Sequence, residues 1–167
     1  ALRVKNLIET GVIEMPESLG ISEDKINSST KELVGIANHY AKLGNKWIEI
    51  VSDGEMSCLA LSSELTKKGI ENIIGIDERT TRILAERPET LGELMTNKLH
   101  QKVIVVVKDF DAFKGYRFIR SSELVYVAFK KGLIEFKDPK ALEALLYATK
   151  YHGSSVSFEE IDVLKKL

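Results

Sequence analysis

Residues 52–85 read SDGEMSCLALSSELTKKGIENIIGIDERTTRILA, and this stretch decides the fold prediction. A helix is predicted over residues 53–68, because apolar residues recur there at helical spacing. The apolar run at 70–76 has the length and the β-branched content of a buried strand, and a short helix is predicted over 78–86. Strands that alternate with helices are typical of a parallel sheet, so the stretch predicts an α/β protein.

Acidic residues lie at two junctions of this stretch. Asp53 and Glu55 open the first helix, and Asp77 and Glu78 follow the strand. In an α/β fold both junctions can lie at the carboxyl edge of a parallel sheet, where ligands bind. Carboxylates at that edge can bind a hard divalent cation such as Mg²⁺ through their oxygen atoms. The pattern therefore indicates metal-assisted hydrolysis.

The rest of the chain continues the alternation. Strands are also predicted at 12–15, 47–51 and 103–107, the last as a central strand because it is the most β-branched run in the chain. Further helices are predicted from residue 2 to Gly11, over 33–43 with Gly44 as its stop, and over 89–99, 121–131, 138–151 and 157–166. We expect an α/β fold: a single three-layer domain over residues 1–167, with a mainly parallel central sheet flanked by helices.

Composition excludes several classes of protein. The net charge of −1 gives no overall basic field to attract nucleic acid, so any such partner needs a local patch. A single cysteine, Cys58, excludes an internal disulfide and a thiolate zinc cluster. The sequence contains no apolar run of membrane-spanning length and no signal-peptide pattern. We therefore expect a cytoplasmic protein with no membrane partner.

Three short motifs follow one another along the chain. They are Gly54-Glu55 with Leu59-Ala60-Leu61, then Ile76-Asp77-Glu78 with Arg82 and Ala85, then Ala128, Lys130, Gly132, Leu133 and Ile134. In this order they resemble the PIN (PilT N-terminal) domain superfamily, in particular its compact prokaryotic branch. The resemblance covers most of residues 1–85 and 118–167, and it implies a PIN-like fold in which residues 86–117 are interpreted as an insertion.

The resemblance implies a metal-dependent ribonuclease that uses Mg²⁺ or Mn²⁺ to activate a water molecule for attack on an RNA phosphodiester. It assigns Glu55 and Asp77 as catalytic metal ligands. The supporting ligands would be Asp53, Glu78 and Glu23, with Asp24 as the alternative to Glu23. Each acid also has a structural interpretation, since Ser52 and Glu55 form a capping-box pattern, Asp77 fits a helix N-cap, and the others fit solvated acids in loops or first helical turns.

Basic residues near these acids indicate a surface for single-stranded RNA. Arg82 matches an arginine of the family motif, and the complete set is Arg82, Arg79, Arg117, Arg120 and Lys114. The alternative interpretation is a set of structural ion pairs and a solvated loop. The resemblance also implies a homodimer or an antitoxin-like protein partner.

One family feature does not occur in this chain. The first strand of the family ends in an aspartate, and no such element precedes residue 3. Either residues upstream supply it, or the chain is a catalytically inactive PIN-like module for nucleic-acid binding or assembly. A third interpretation, an actin-like phosphate turn at residues 75–81, is disfavoured because Arg79 stands where that turn has glycine.

Overall fold

The computed structural model describes residues 2–135 and 138–167. The helices are α1 (Leu2–Glu9), α2 (Glu23–Ala37), α3 (Asp53–Lys67), α4 (Arg79–Glu86), α5 (Leu91–Leu99), α6 (Ser121–Lys130), α7 (Pro139–Tyr151) and α8 (Phe158–Leu164). The strands are β1 (Ala41–Leu43), β2 (Lys46–Trp47), β3 (Ile74–Gly75), β4 (Val103–Val105) and β5 (Phe118–Ile119). Short 3₁₀ turns occupy Pro16–Leu19, Pro88–Thr90 and Asp111–Phe113.

The predicted architecture, a three-layer domain around a mainly parallel central sheet, is wrong. Helices make up 58% of the structure and strands only 7%. One small antiparallel sheet has the strand order β2-β1-β4, and β3 and β5 form a separate parallel pair. The fold is therefore largely helical, with two small sheets.

Most of the predicted strand residues do not form a ladder. In the run 47–51, the backbone N–H groups of Ile50 and Val51 donate to the side-chain oxygen of Asn38, at 2.7 and 3.2 Å. A side chain thus takes the place of a neighbouring strand there. Residues 12–15 form turns and irregular backbone, and β4 is an edge strand rather than a central one.

The helix predicted over 33–43 begins and ends earlier than expected. α2 ends at Ala37, and Ala41–Leu43 is β1, which pairs with β2 and β4. Gly44 instead lies in the turn between β1 and β2 with a φ of 59°, a left-handed conformation that favours glycine. The apolar spacing of residues 33–43 is thus shared between a helix and a strand.

The main hydrophobic core lies between α2, α3, α4, α5 and the antiparallel sheet. Its fully buried residues include Met56, Leu59, Leu84, Leu91 and Phe113. A second core packs α6, α7 and α8 together around Leu142, Leu146, Val156 and Ile161.

The parallel pair of β3 and β5 sets the position of the candidate site. Ile74 lies opposite Phe118 and Gly75 opposite Ile119. Because the strands are parallel, the residues that follow them emerge on the same side, and these residues begin α4 and α6. Within the described residues, no helix has the length and apolar character needed to cross a membrane.

Candidate functional site

Asp77 joins three segments of the chain. Its Oδ1 accepts hydrogen bonds from the backbone N–H of Ser121 at 3.2 Å and from the hydroxyl of Ser154 at 2.9 Å. Its Oδ2 accepts from the hydroxyl of Ser121, and its backbone carbonyl accepts from the Ser155 hydroxyl at 2.7 Å. We call Asp77, Arg120, Ser121, Ser154 and Ser155 the Asp77 junction. It ties the end of β3 to the start of α6 and to the loop before α8.

The Asp77 carboxylate is held in its ionised form. Partial burial acts to raise its pKa, but hydrogen bonds from Ser121 and Ser154 and the nearby charge of Arg120 outweigh burial and lower the pKa below its ordinary value. Hydrogen bonds that stabilise the charged form have this effect because the protonated acid accepts them less strongly. Asp77 is therefore an anion at neutral pH.

Glu78 caps α4. Its Oε2 accepts from the backbone N–H of Thr81 at 2.7 Å. Burial acts to raise the pKa of Glu78, and the hydrogen bonds from Thr81 and Thr80 outweigh it and lower the pKa. Lys98 lies at 4.0 Å from its Oε1. Glu78 is thus the acidic N-cap of α4 and stabilises the start of that helix.

Arg120 links the start of α6 to α8 through ion pairs. Its side chain is only 11% exposed and pairs with Glu123 at 2.8 Å and with Glu160 at 2.6 Å. Its Nε, Nη1 and Nη2 all donate to these two carboxylates. Burial acts to lower the pKa of Arg120, but the two glutamates outweigh it and raise the pKa. Arg120 therefore has a structural role at the Asp77 junction.

An arginine-lined cleft opens beside the Asp77 junction. We call it the arginine cleft, and it encloses about 140 Å³. Its walls come from α4, from the start of α6 and from the segment that leads into α8. The lining residues are Arg79, Arg82, Ile83, Glu86, Arg87, Arg120, Ser155, Ser157 and Glu160. Four arginines thus face two glutamates, so the cleft is locally positive.

The arginines of the cleft differ in how they are engaged. Arg82 is 15% exposed and pairs with Glu86 at 3.1 Å through Nη2, while its buried Nε–H meets no acceptor among the residues that the structure describes. Arg79 and Arg87 are exposed and make no ion pair with any described residue. The cleft therefore offers the guanidinium groups of Arg79 and Arg87 to an anion.

The other acids predicted as metal ligands lie at helix starts. The backbone N–H of Ser52 donates to Glu55 at 3.1 Å, which is a capping contact for α3. Asp53 is the first residue of α3 and Glu23 the first residue of α2, and both are exposed. Each of these acids lies beside its own helix N-terminus, where negative charge is favourable.

The acids predicted as metal ligands do not form one group in the described residues. In the part of the chain that the structure describes, no three His, Cys, Asp or Glu side chains come together in a way that could hold a metal ion. Both oxygens of Asp77 accept hydrogen bonds from serines, and Oε2 of Glu55 accepts them from Ser52. These oxygens of Asp77 and Glu55 therefore already accept hydrogen bonds from the protein's own donors.

Two basic residues of the predicted RNA surface lie elsewhere. Arg117 pairs with Glu71 at 2.9 Å and donates to the backbone carbonyl of Asn72 at 3.0 Å, in a separate cleft. Lys114 pairs with Asp111. The structure thus brings together Arg79, Arg82 and Arg120 from the predicted set, and it leaves Arg117 and Lys114 outside the arginine cleft.

Sequence reasoning missed Arg87 and the serines of the loop before α8. Arg87 directly follows α4, one residue before Pro88, and its spacing from Arg79 and Arg82 was the available signal. The pattern Ser154-Ser155-x-Ser157 was visible as a polar loop after Gly153. Nothing in the sequence connects that loop with Asp77, which is 77 residues before Ser154.

Comparison with known proteins does not assign the chain to a family. No protein-family model, no curated protein and no solved structure matches it. The resemblance to the PIN domain superfamily therefore rests on the sequence motifs alone.

Proposed function

We propose that the chain binds RNA by holding phosphate groups in the arginine cleft. The observation that carries this proposal is the convergence of Arg79, Arg82, Arg87 and Arg120 in one cleft, where Arg79 and Arg87 have no ion-pair partner among the described residues. A guanidinium group binds phosphate oxygens through parallel N–H donors, which makes arginine well suited to phosphate recognition.

The overall charge of the chain supports a local rather than a diffuse interaction. With a net charge of −1, long-range attraction of a polyanion is absent, so binding depends on the cleft itself. The sequence resemblance to RNA-cleaving enzymes supports RNA as the polyanion. This proposal corresponds to the nucleic-acid-binding alternative and requires no metal ion.

Salt dependence of RNA affinity tests the proposal. Binding of single-stranded RNA is measured by fluorescence anisotropy over a salt series, and each phosphate contact contributes about −0.7 to the slope of log K against log salt. The double variant Arg79→Gln, Arg87→Gln is expected to reduce the magnitude of the slope by about 1.4 and to weaken binding.

The matched control is the double variant Arg3→Gln, Lys46→Gln. Arg3 lies on α1 and Lys46 on β2, both exposed and outside the cleft, so the control removes the same amount of charge. It is expected to keep most of the wild-type slope. Absence of RNA binding by the wild-type chain, or an equal loss in both double variants, would contradict the proposal.

A metal-dependent ribonuclease is the second candidate. The observation that favours it is that Asp77, an ionised carboxylate, lies next to the cleft, since its backbone carbonyl accepts a hydrogen bond from Ser155, which lines the cleft. Titration with Mn²⁺ should then raise the melting temperature, because a ligand of the native state stabilises it by mass action.

Cleavage assays separate the two candidates. A ribonuclease should cleave RNA only with Mn²⁺ or Mg²⁺, and Asp77→Asn should abolish cleavage while leaving RNA affinity close to the wild-type value. An unchanged melting temperature at millimolar Mn²⁺, together with intact RNA in the assay, would leave binding as the function of the cleft.

A further inference from the structure

We propose that the arginine cleft selects the terminal phosphate monoester at the end of an RNA strand over the internal phosphodiesters. This inference rests on the proposed function and specifies which phosphate occupies the cleft.

The size of the cleft is the first observation. At about 140 Å³ it is well below the roughly 300–1,000 Å³ of sites that enclose whole small molecules. A phosphate group fits this volume and a whole nucleotide does not. A terminal phosphate projects from the rest of the ligand, so it can enter a small cleft more fully than an internal phosphate can.

The unneutralised charge is the second observation. Arg79 and Arg87 together offer two positive charges without ion-pair partners among the described residues. A phosphate monoester carries about −1.5 to −2 at pH 7, whereas an internal phosphodiester carries a single charge. The charge of the cleft thus matches the monoester.

A neighbouring cleft supplies the third observation. Arg79, Ile83 and Arg87 also line a second cleft of about 260 Å³, which continues along α5 to Asn97. A ligand whose terminal phosphate lies in the arginine cleft can place its first nucleoside in this second cleft. The Asn97 side chain there offers both a donor and an acceptor to a base or a sugar.

Three RNAs of one sequence test the inference: one with a 5′-phosphate, one with a 3′-phosphate and one with hydroxyls at both ends. Each carries its fluorophore on an internal base, and affinity is measured by anisotropy at pH 7.5. We expect one of the two phosphorylated RNAs to bind about 10- to 100-fold more tightly than the hydroxyl RNA, since charge-assisted hydrogen bonds are lost without the phosphate. The end that gives the gain identifies the source of the monoester.

Variants locate the effect. Arg79→Gln and Arg87→Gln, each tested alone, are expected to reduce the preference for the phosphorylated end, whereas Arg3→Gln, the same chemical change on α1, is expected to keep it. Thermal unfolding of each variant checks that the fold persists. Both arginines are exposed, so little change in stability is expected.

The failures of the two proposals are distinguishable. If all three RNAs bind equally well and binding depends on Arg79 and Arg87, the preference for ends is overturned while RNA binding by the cleft stands. If none of the RNAs binds, both proposals fall. If the preference for the phosphorylated end survives in Arg79→Gln and Arg87→Gln, the terminal phosphate binds outside the arginine cleft and the inference is overturned.

Discussion

Two acidic residues near helix starts, Glu55 and Asp77, accept hydrogen bonds from serines, but their contacts stabilise different parts of the fold. Glu55 accepts from Ser52, which is three residues away, and the contact stays within the start of α3. Asp77 accepts from Ser121 and Ser154, which are 44 and 77 residues away. The Ser52–Glu55 cap therefore stabilises one helix end, whereas the Asp77 junction closes two long loops of the chain. The chemistry is the same, and the sequence separation of the partners decides the structural consequence.

Arg120→Met is expected to give the largest loss of stability. It removes the guanidinium that pairs with Glu123 and Glu160 and leaves two carboxylates without their partner. Because these carboxylates are 34% and 45% exposed, we expect a loss of about 2–3 kcal/mol, below the roughly 3–5 kcal/mol of a fully buried pair. Urea unfolding of the wild-type chain and of the variant measures this loss in the free energy of unfolding.

The control for this prediction is Arg117→Met. Arg117 pairs with Glu71, and both side chains are more than half exposed. A surface ion pair of this kind contributes about 0–1 kcal/mol. Equal losses in the two arginine variants would show that the ion pairs of Arg120 contribute no more to stability than a surface ion pair.

Asp77→Asn is expected to cost about 1–2 kcal/mol. The amide keeps the shape of the side chain but replaces the charge-assisted hydrogen bonds from Ser121 and Ser154 with weaker ones. Asp53→Asn is the matched control, since Asp53 is exposed at the start of α3, and its effect should lie within about 0.5 kcal/mol. A loss in Asp77→Asn as small as in Asp53→Asn would contradict the long-range role of Asp77.

The contribution of Asp77 should also depend on pH. Its pKa is lowered in the folded chain, so the stabilisation is fully present above the unfolded-state pKa of about 3.9 and is lost as pH falls through the lower folded-state pKa. The difference in stability between the wild-type chain and Asp77→Asn should thus be constant from pH 7 to about pH 5 and shrink below about pH 4. A difference that persists unchanged at pH 2–3 would show that the charge of Asp77 contributes nothing.

The same contrast explains what the sequence could predict. Helices depend on local spacing and caps, so α3 is predicted over 53–68 and lies at Asp53–Lys67, and the capping-box pattern of Ser52 and Glu55 is present at its start. Strands depend on distant partners, and of the strand predicted over 47–51 only Trp47 belongs to a ladder, while the N–H groups of Ile50 and Val51 donate to Asn38. The sequence therefore predicted most helices correctly and the sheet incorrectly.

The same distinction between local and distant partners applies to the candidate site. Arg79 and Arg82 lie within one turn of α4, so their proximity follows from helical spacing, and both were predicted as RNA-binding residues. The serines that surround Asp77 come from α6 and from the loop before α8, and no local pattern connects them with β3. Local sequence patterns could not predict the Asp77 junction or the cleft wall formed by Ser155 and Ser157.

Glu55→Gln is expected to have the smallest effect. The amide oxygen can still accept from the Ser52 N–H, so only the charge at the start of α3 is lost, which is worth about 0.3–1 kcal/mol. If Glu55 serves only its own helix, this loss should be the same with and without millimolar Mn²⁺ in thermal unfolding. A cation bound by Glu55 would instead stabilise the wild-type chain more than the variant when Mn²⁺ is added. Such a Mn²⁺-dependent difference would give Glu55 a partner outside its helix, and the contrast between the Ser52–Glu55 cap and the Asp77 junction would no longer hold.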